Sequence, residues 1–199
     1  WQQRDFATIW TALISPFQFL YQRMMATAAT YPYASVNAFN IWGAVNWQPD
    51  ASEIFGLSYR LIGLCLLGTL LAWIGVFLYK HPQNSDFFLA GAIILLGMFM
   101  LPTRMHERYI LPAIAFLAIA AAFIPSIRSI YWGFTLTSSL NVGYAFVTYN
   151  HEELMNAVPH EWKQALIAIV AISNLAMFLA LIGYTLRSDM RSPAQLQEV

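Results

Sequence analysis

Charge is what this chain has least of. Asp, Glu, Lys and Arg make up 10% of its 199 residues, against about 25% in an ordinary soluble domain. Basic and acidic residues cancel to a net charge of zero. No global field therefore draws a polyanion, and nucleic acid is not an expected partner. Cysteine is almost missing too. Cys65, the only one, lies inside an apolar run, which excludes an internal disulfide and a cysteine-built metal site. It reads as a small packing residue. The opening WQQRDFATIW has no basic stretch leading into an apolar one and no cleavage site, so it is not read as a signal peptide. It has no initiator Met either, and the expectation is a C-terminal piece of a longer membrane protein. No P-loop, dinucleotide fingerprint, zinc finger or internal repeat is present.

What fills the chain instead is hydrocarbon. Hydrophobic residues reach 59%, with seven Trp, ten Tyr and fourteen Phe. This composition belongs to membrane proteins. Residues 61 to 79 carry no charge and are flanked by Arg60 and Lys80, the pattern of a transmembrane helix. Residues 164 to 186 are equally apolar. Residues 87 to 101 and 109 to 125 are apolar but short; fifteen helical residues reach roughly 22 Å, less than the ~30 Å hydrocarbon core. Residues 129 to 149 carry interior Ser, Thr and Asn141. The expected fold is all-α: a polytopic transmembrane helical bundle of about five spans, with interfacial helices at the N-terminus. The expected divisions are an extracytoplasmic, interfacial segment over 1–56, a transmembrane bundle over 57–187 and a cytoplasmic tail over 188–199.

Five spans force an alternation of sides. The N-terminal segment, the 102 to 108 turn and the 150 to 163 loop share one face, whichever face that is. The positive-inside count does not decide between them, and the acidic residues favour the outer one only weakly. Residues 6 to 29 contain Pro16, Gln18, Gln22 and Arg23 and fit a helix lying at the interface better than a full span. Beyond Pro32, Ser35 is expected to cap a short amphipathic helix starting near Val36. Tyr31, Asn37, Asn40 and Trp42 would lie along that region. Aromatic residues alone are an interfacial belt. Two amides three residues apart beside aromatic rings also suit a sugar, by hydrogen bonds to its hydroxyls and ring faces against its C–H groups.

The sharpest anomaly is LPTRMHERYILPA, residues 101 to 113. Arg104, His106, Glu107 and Arg108 crowd a turn between two short apolar runs. Charge recessed beside hydrocarbon needs a partner. An Arg104–Glu107 pair at the helix end would satisfy part of the cluster, but two arginines and a histidine face one glutamate. The surplus matches a lipid phosphate, whose oxygens the guanidinium fork binds in pairs. His106 would donate a hydrogen bond to it or titrate near neutral pH. His151, Glu152, Glu153, His160 and Glu161 share one loop. Their spacing is not specific for zinc, and HEEL reads as the start of a short surface helix. SSLN, residues 138 to 141, reads as hydrogen bonding across helices.

YPYASVNAFNIWG followed by LPTRMHERYILPA resembles the C-terminal half of the GT-C class of integral-membrane glycosyltransferases. The nearest likeness is to bacterial members related to the mannosyltransferases of GPI-anchor assembly. The resemblance covers most of residues 30 to 115. It implies a polytopic helical enzyme that moves a hexose, mannose among the candidates, from a polyprenyl-phosphate donor to an acceptor on the extracytoplasmic side of a bacterial or archaeal membrane. It carries over to Arg104, His106, Glu107 and Arg108 as donor-phosphate ligands, with Tyr109 beside them. Tyr31, Asn37, Asn40 and Trp42 carry over to a helix lining the cavity. The acidic residue that these families place in a first outward loop has no match: Asp5 does not follow a first span and Asp50 comes later. The catalytic residues are therefore unassigned and expected in a missing N-terminal half. No cofactor is required, and the residues leave room for a divalent metal without demanding one. The partners implied are the polyprenyl-phosphate-linked sugar and the lipid bilayer. The other readings of the same features are a lipid-phosphate-binding transporter or flippase and a non-catalytic membrane subunit.

Overall fold

A computed structural model describes residues 14–16, 18–22, 26 and 30–189. The chain divides into two compact units, Trp1–Pro32 and Tyr33–Val199. In the first, the described residues up to 22 are helical and exposed; Arg23 lies outside the described residues. In the second, residues 33–58 pack with the helices, so the unit begins at Tyr33, whereas the sequence had suggested a division at 56.

The second unit is mostly helical, and proline sets many of its boundaries. Helix α1, Tyr59–Lys80, starts where the Ser58 side chain accepts the Leu61 N–H at 3.3 Å. This is an N-cap. It stops just before Pro82. Helix α2, Asn84–Met100, ends before Pro102. Helix α3, Leu111–Phe123, carries Pro112 in its first turn, where no N–H is needed, and ends before Pro125. A 3-10 turn, Pro125–Ile127, leads into helix α4, Arg128–Asn150. The short helix α5, Glu152–Ala157, forms at HEEL as its sequence suggests. Helix α6, His160–Asp189, follows Pro159. It runs past the expected start of the tail at 188, and residues 190–199 lie outside the described residues.

All five apolar stretches are thus helices, but they are not alike. Tyr59–Lys80 and His160–Arg187 are long and apolar enough to cross a membrane, with mean hydropathies of 2.5 and 2.6. Helix α2 is apolar and shorter, and α3 has 13 residues. Helix α2 is the hub. Its Leu89, Ile93, Leu96 and Phe99 are buried among Leu70 and Ile74 of α1, Ala113 and Leu117 of α3, and Phe178 and Leu181 of α6. Gly63 lets α1 lie against the turn that follows α2: a Cβ there would come 2.5 Å from the Leu101 carbonyl oxygen and 3.1 Å from Pro102 Cα.

Four two-residue strands depart from the expected all-α architecture. Strand β1, Ser35–Val36, pairs in parallel with β4, Met105–His106, in the register Ser35 to Met105 and Val36 to His106. Strands β2, Glu53–Ile54, and β3, Leu57–Ser58, form an antiparallel hairpin. The helix expected near Val36 does not form. The chain is extended through Ser35 and Val36 and turns at Asn37, whose φ is +56°, a left-handed value that Asn tolerates better than most residues. Ser35 Oγ bonds both backbone groups of Ala38, accepting from N–H at 3.1 Å and donating to O at 2.7 Å. The serine side chain holds a turn where a helix start was anticipated. Between Tyr33 and Asp50 the only helical turn is the 3-10 piece Gly43–Val45.

Candidate functional site

Two segments outside the α-helices meet where α2 ends. One is the connection 101–110 between α2 and α3, and the other is residues 33–50. Their contact begins with backbone: Arg104 N–H donates to the Tyr33 carbonyl at 3.0 Å, and β1 pairs with β4.

Residues 33–50 satisfy polar groups that the helices leave open. A helix end has four carbonyls without intrahelical donors. Asn40 Nδ2 donates to the Phe99 carbonyl at 3.0 Å, and Trp42 Nε1 donates to the Leu101 carbonyl at 2.7 Å. Asn40 Oδ1 accepts from Trp42 N–H at 3.0 Å. Both amide atoms of Asn40 are spent inside the fold, and Asn40 and Trp42 are buried. Asn37 is equally committed. It donates from Nδ2 to Tyr149 Oη at 3.1 Å and accepts at Oδ1 from Asn46 Nδ2 and Trp47 Nε1. Two further asparagines, mid-helix and fully buried, grip the same loop. Asn141 of α4 donates to the Asn37 carbonyl at 2.6 Å and accepts from Phe39 N–H at 3.0 Å. Asn174 of α6 donates to the Phe39 carbonyl at 2.9 Å. Asn141 thus bonds across to a loop, not to a neighbouring helix, while Ser138 and Ser139 bond the Thr135 carbonyl of their own helix. Asn174 was not singled out from sequence; a lone amide in an apolar helix was the available signal. Tyr31 is exposed and belongs to the first unit.

The charged cluster divides in two. Arg104, at φ +65°, turns its side chain to Asp50: Nε lies 2.6 Å from Oδ2. Thr103 Oγ1 lies 3.5 Å from the same oxygen. The Asp50 side chain is 6% exposed. The anticipated Arg104–Glu107 pair is therefore replaced by one that spans the two segments, and Asp50 enters the site as a structural partner that sequence spacing did not reveal.

The other half is open. Residues Glu107–Ile110 form a 3-10 turn. Arg108 Nη1 lies 3.4 Å from Glu107 Oε1, a loose pair, and the Arg108 side chain is 58% exposed. The guanidinium carbon stands 5.4 Å from the Tyr109 ring centre, and the His106 ring meets Tyr109 edge-on at 5.4 Å. His106 is buried, which disfavours its charged form; Arg108 pushes in the same direction and Glu107 opposes, so its pKa lies below the ordinary value. A neutral imidazole at this position can both donate and accept. Glu107 is buried, and its Oε2 has no hydrogen-bond partner among the described residues. A buried carboxylate oxygen left without a donor is costly and calls for an explanation.

One turn further on, Leu111 lines an open groove of about 460 Å³ between the start of α3 and the face of α4. Ser138, Ser139, Val142, Gly143 and Phe146 complete its wall. Among the described residues, no three His, Cys, Asp or Glu side chains come together as a metal would require. Comparison of the chain with family models, with curated proteins and with solved structures gave no match.

Proposed function

We propose that the chain is the C-terminal part of a membrane glycosyltransferase, and that residues 106–108 take the phosphate of a polyprenyl-phosphate sugar. The proposal includes a bundle of about five spans in a bacterial or archaeal membrane, with the site on the extracytoplasmic side. The observation that carries it is the half-used Glu107–Arg108 pair. An exposed guanidinium sits over Tyr109, loosely held by a buried carboxylate, beside a neutral His106 and next to a largely apolar groove. A phosphate would take paired hydrogen bonds from Arg108 and one from the His106 N–H. Glu107 would orient the guanidinium without neutralising it.

In the reaction, an acceptor hydroxyl oxygen forms a bond to the anomeric carbon. The bond from that carbon to the lipid-phosphate oxygen breaks, and its electron pair stays on the phosphate. The hydroxyl proton goes to a base. Arg108 contributes by stabilising the charge that grows on the leaving phosphate. Arg104, also a candidate phosphate ligand, contributes chiefly by locking the turn through Asp50. Asn37, Asn40 and Trp42 contribute by holding the loop that supports it.

A lipid-phosphate-binding subunit or flippase is the second reading. What favours it is Asp50: the second carboxylate of this region is committed to Arg104 and so is occupied in holding the turn. The test is binding of a short-chain polyprenyl-phosphate mannose to the detergent-solubilised chain and to its Arg108→Ala and His106→Ala variants. Specific binding that Arg108→Ala abolishes in a folded protein supports the phosphate site. Equal binding by all forms, or by none, removes it. Sugar transfer on adding the acceptor separates the enzyme from the subunit or flippase.

A further inference from the structure

The β2–β3 hairpin is tied to the start of α1. Tyr59 N–H donates to the Ser52 carbonyl at 3.0 Å, and Arg60 N–H donates to the Asp50 carbonyl at 3.1 Å. Its two-residue turn is Phe55–Gly56, with φ of +55° and +78°. A turn of this kind needs left-handed backbone at both central positions, which is why Asn-Gly and Asp-Gly dominate it. Gly56 fits. Phe55 does not: a bulky residue at positive φ is strained. The strain is offset by nothing inside the fold, because Phe55 is fully exposed at 101%. Its neighbours Ile54 and Leu57 are exposed as well. Three apolar side chains thus project from a tip whose locally favoured residue is polar.

We infer that this tip, Ile54, Phe55 and Leu57, is a lipid anchor that dips into the interfacial layer of the bilayer beside the start of α1. The occupant is a lipid surface because the tip continues one. The residues that follow it on α1, Leu61, Leu64, Leu66 and Leu71, are exposed, and that helix is long and apolar enough to cross a membrane. Ser58, which closes the hairpin, is the N-cap of α1. Arg60, exposed immediately before Leu61, can extend to a phosphate. Trp47 is exposed nearby in the chain, and exposed tryptophan is typical of the membrane–water boundary. The inference rests on α1 spanning a bilayer but not on glycosyl transfer.

The test places spin labels in the full chain reconstituted in phosphatidylcholine vesicles. The label on the native Cys65, exposed on α1, reports whether the helix is in lipid. Labels at Phe55→Cys, Leu57→Cys and Glu53→Cys, each with Cys65→Ser, report the hairpin. Collision rates with oxygen, which concentrates in lipid, and with a water-soluble nickel chelate give the depth. The expected result is an oxygen-to-nickel ratio several-fold higher at 55 and 57 than at 53, with Cys65 deeper still. A label at 55 as accessible to nickel as the label at 53, with Cys65 in lipid, overturns the anchor and leaves the span standing. Labels at 55 and 57 shielded from both reagents overturn it in favour of a protein contact. A nickel-accessible Cys65 overturns the span and the anchor together.

Discussion

Two arginine–carboxylate pairs stand four residues apart in one turn and have opposite characters. Arg104 and Asp50 meet at 2.6 Å, with the carboxylate buried and shared with Thr103. Arg108 and Glu107 meet at 3.4 Å, with the guanidinium exposed and one carboxylate oxygen unused. The first pair joins residues 54 positions apart and closes a structure. The second joins neighbours in sequence, so it closes nothing; its guanidinium faces outward while its unused carboxylate oxygen is buried. A charged cluster read as one site from sequence is a clamp and an open site side by side.

The largest effect that separates them is on the clamp. Asp50→Ala leaves Arg104 without its carboxylate in a largely buried setting and is expected to destabilise by roughly 3 kcal/mol. Arg104→Ala does the same to Asp50. Thermal unfolding in detergent checks both, and a loss under about 0.5 kcal/mol would make the clamp no different from a surface pair. Next comes Gly63→Ala, expected to cost about 1–3 kcal/mol because the new methyl meets the Leu101 carbonyl and pushes α1 off the turn. Arg108→Ala should leave stability within about 0.5 kcal/mol, as an exposed side chain does, while removing phosphate-lipid binding. If Arg108→Ala unfolds the protein and Asp50→Ala does not, the comparison is reversed.

The smallest effect is in pH. The His106 pKa lies below its ordinary value of about 6.5, so the folded protein holds its proton less tightly than the unfolded chain does. Stability is therefore full above that value and declines as pH falls through and below it, levelling off only beneath the native pKa. A melting midpoint followed from about pH 8 down to pH 5 should show this decline, and His106→Gln should reduce it.

The helices were legible in the sequence because their signals are local. The run 61–79 between Arg60 and Lys80 became Tyr59–Lys80, and 129–149 became Arg128–Asn150. The prolines at 82, 102, 112 and 125 fall at helix boundaries, a local signal that the sequence reading left unused. The loop 33–50 was not legible. Ser35 ahead of an amphipathic stretch is a fair helix start, yet Val36 pairs with His106 and Asn37 turns left-handed. Those choices are dictated by residues far along the chain, which local spacing does not report. The cluster at 104–108 stood out by composition, but its division into clamp and open site depended on Asp50, whose role only the fold reveals. Five apolar helices were likewise visible, but α2 and α3 have only 17 and 13 residues and α4, at 23, carries interior Thr, Ser and Asn, so two are both long and apolar enough for a span.

Asn141 and Asn174 grip the 37–39 turn across sequence separations of 102 and 135 residues. Contacts so distant close large loops before they return any energy, so they form late. A nascent chain carries residues 33–50 long before α4 and α6 exist to receive them. Until then the Phe39 N–H and carbonyl have no protein partner and must stay in water. Full satisfaction of this loop's polar groups therefore waits for α6, and a ribosome stalled ahead of that helix holds a 37–39 turn that still lacks one of its two asparagine grips.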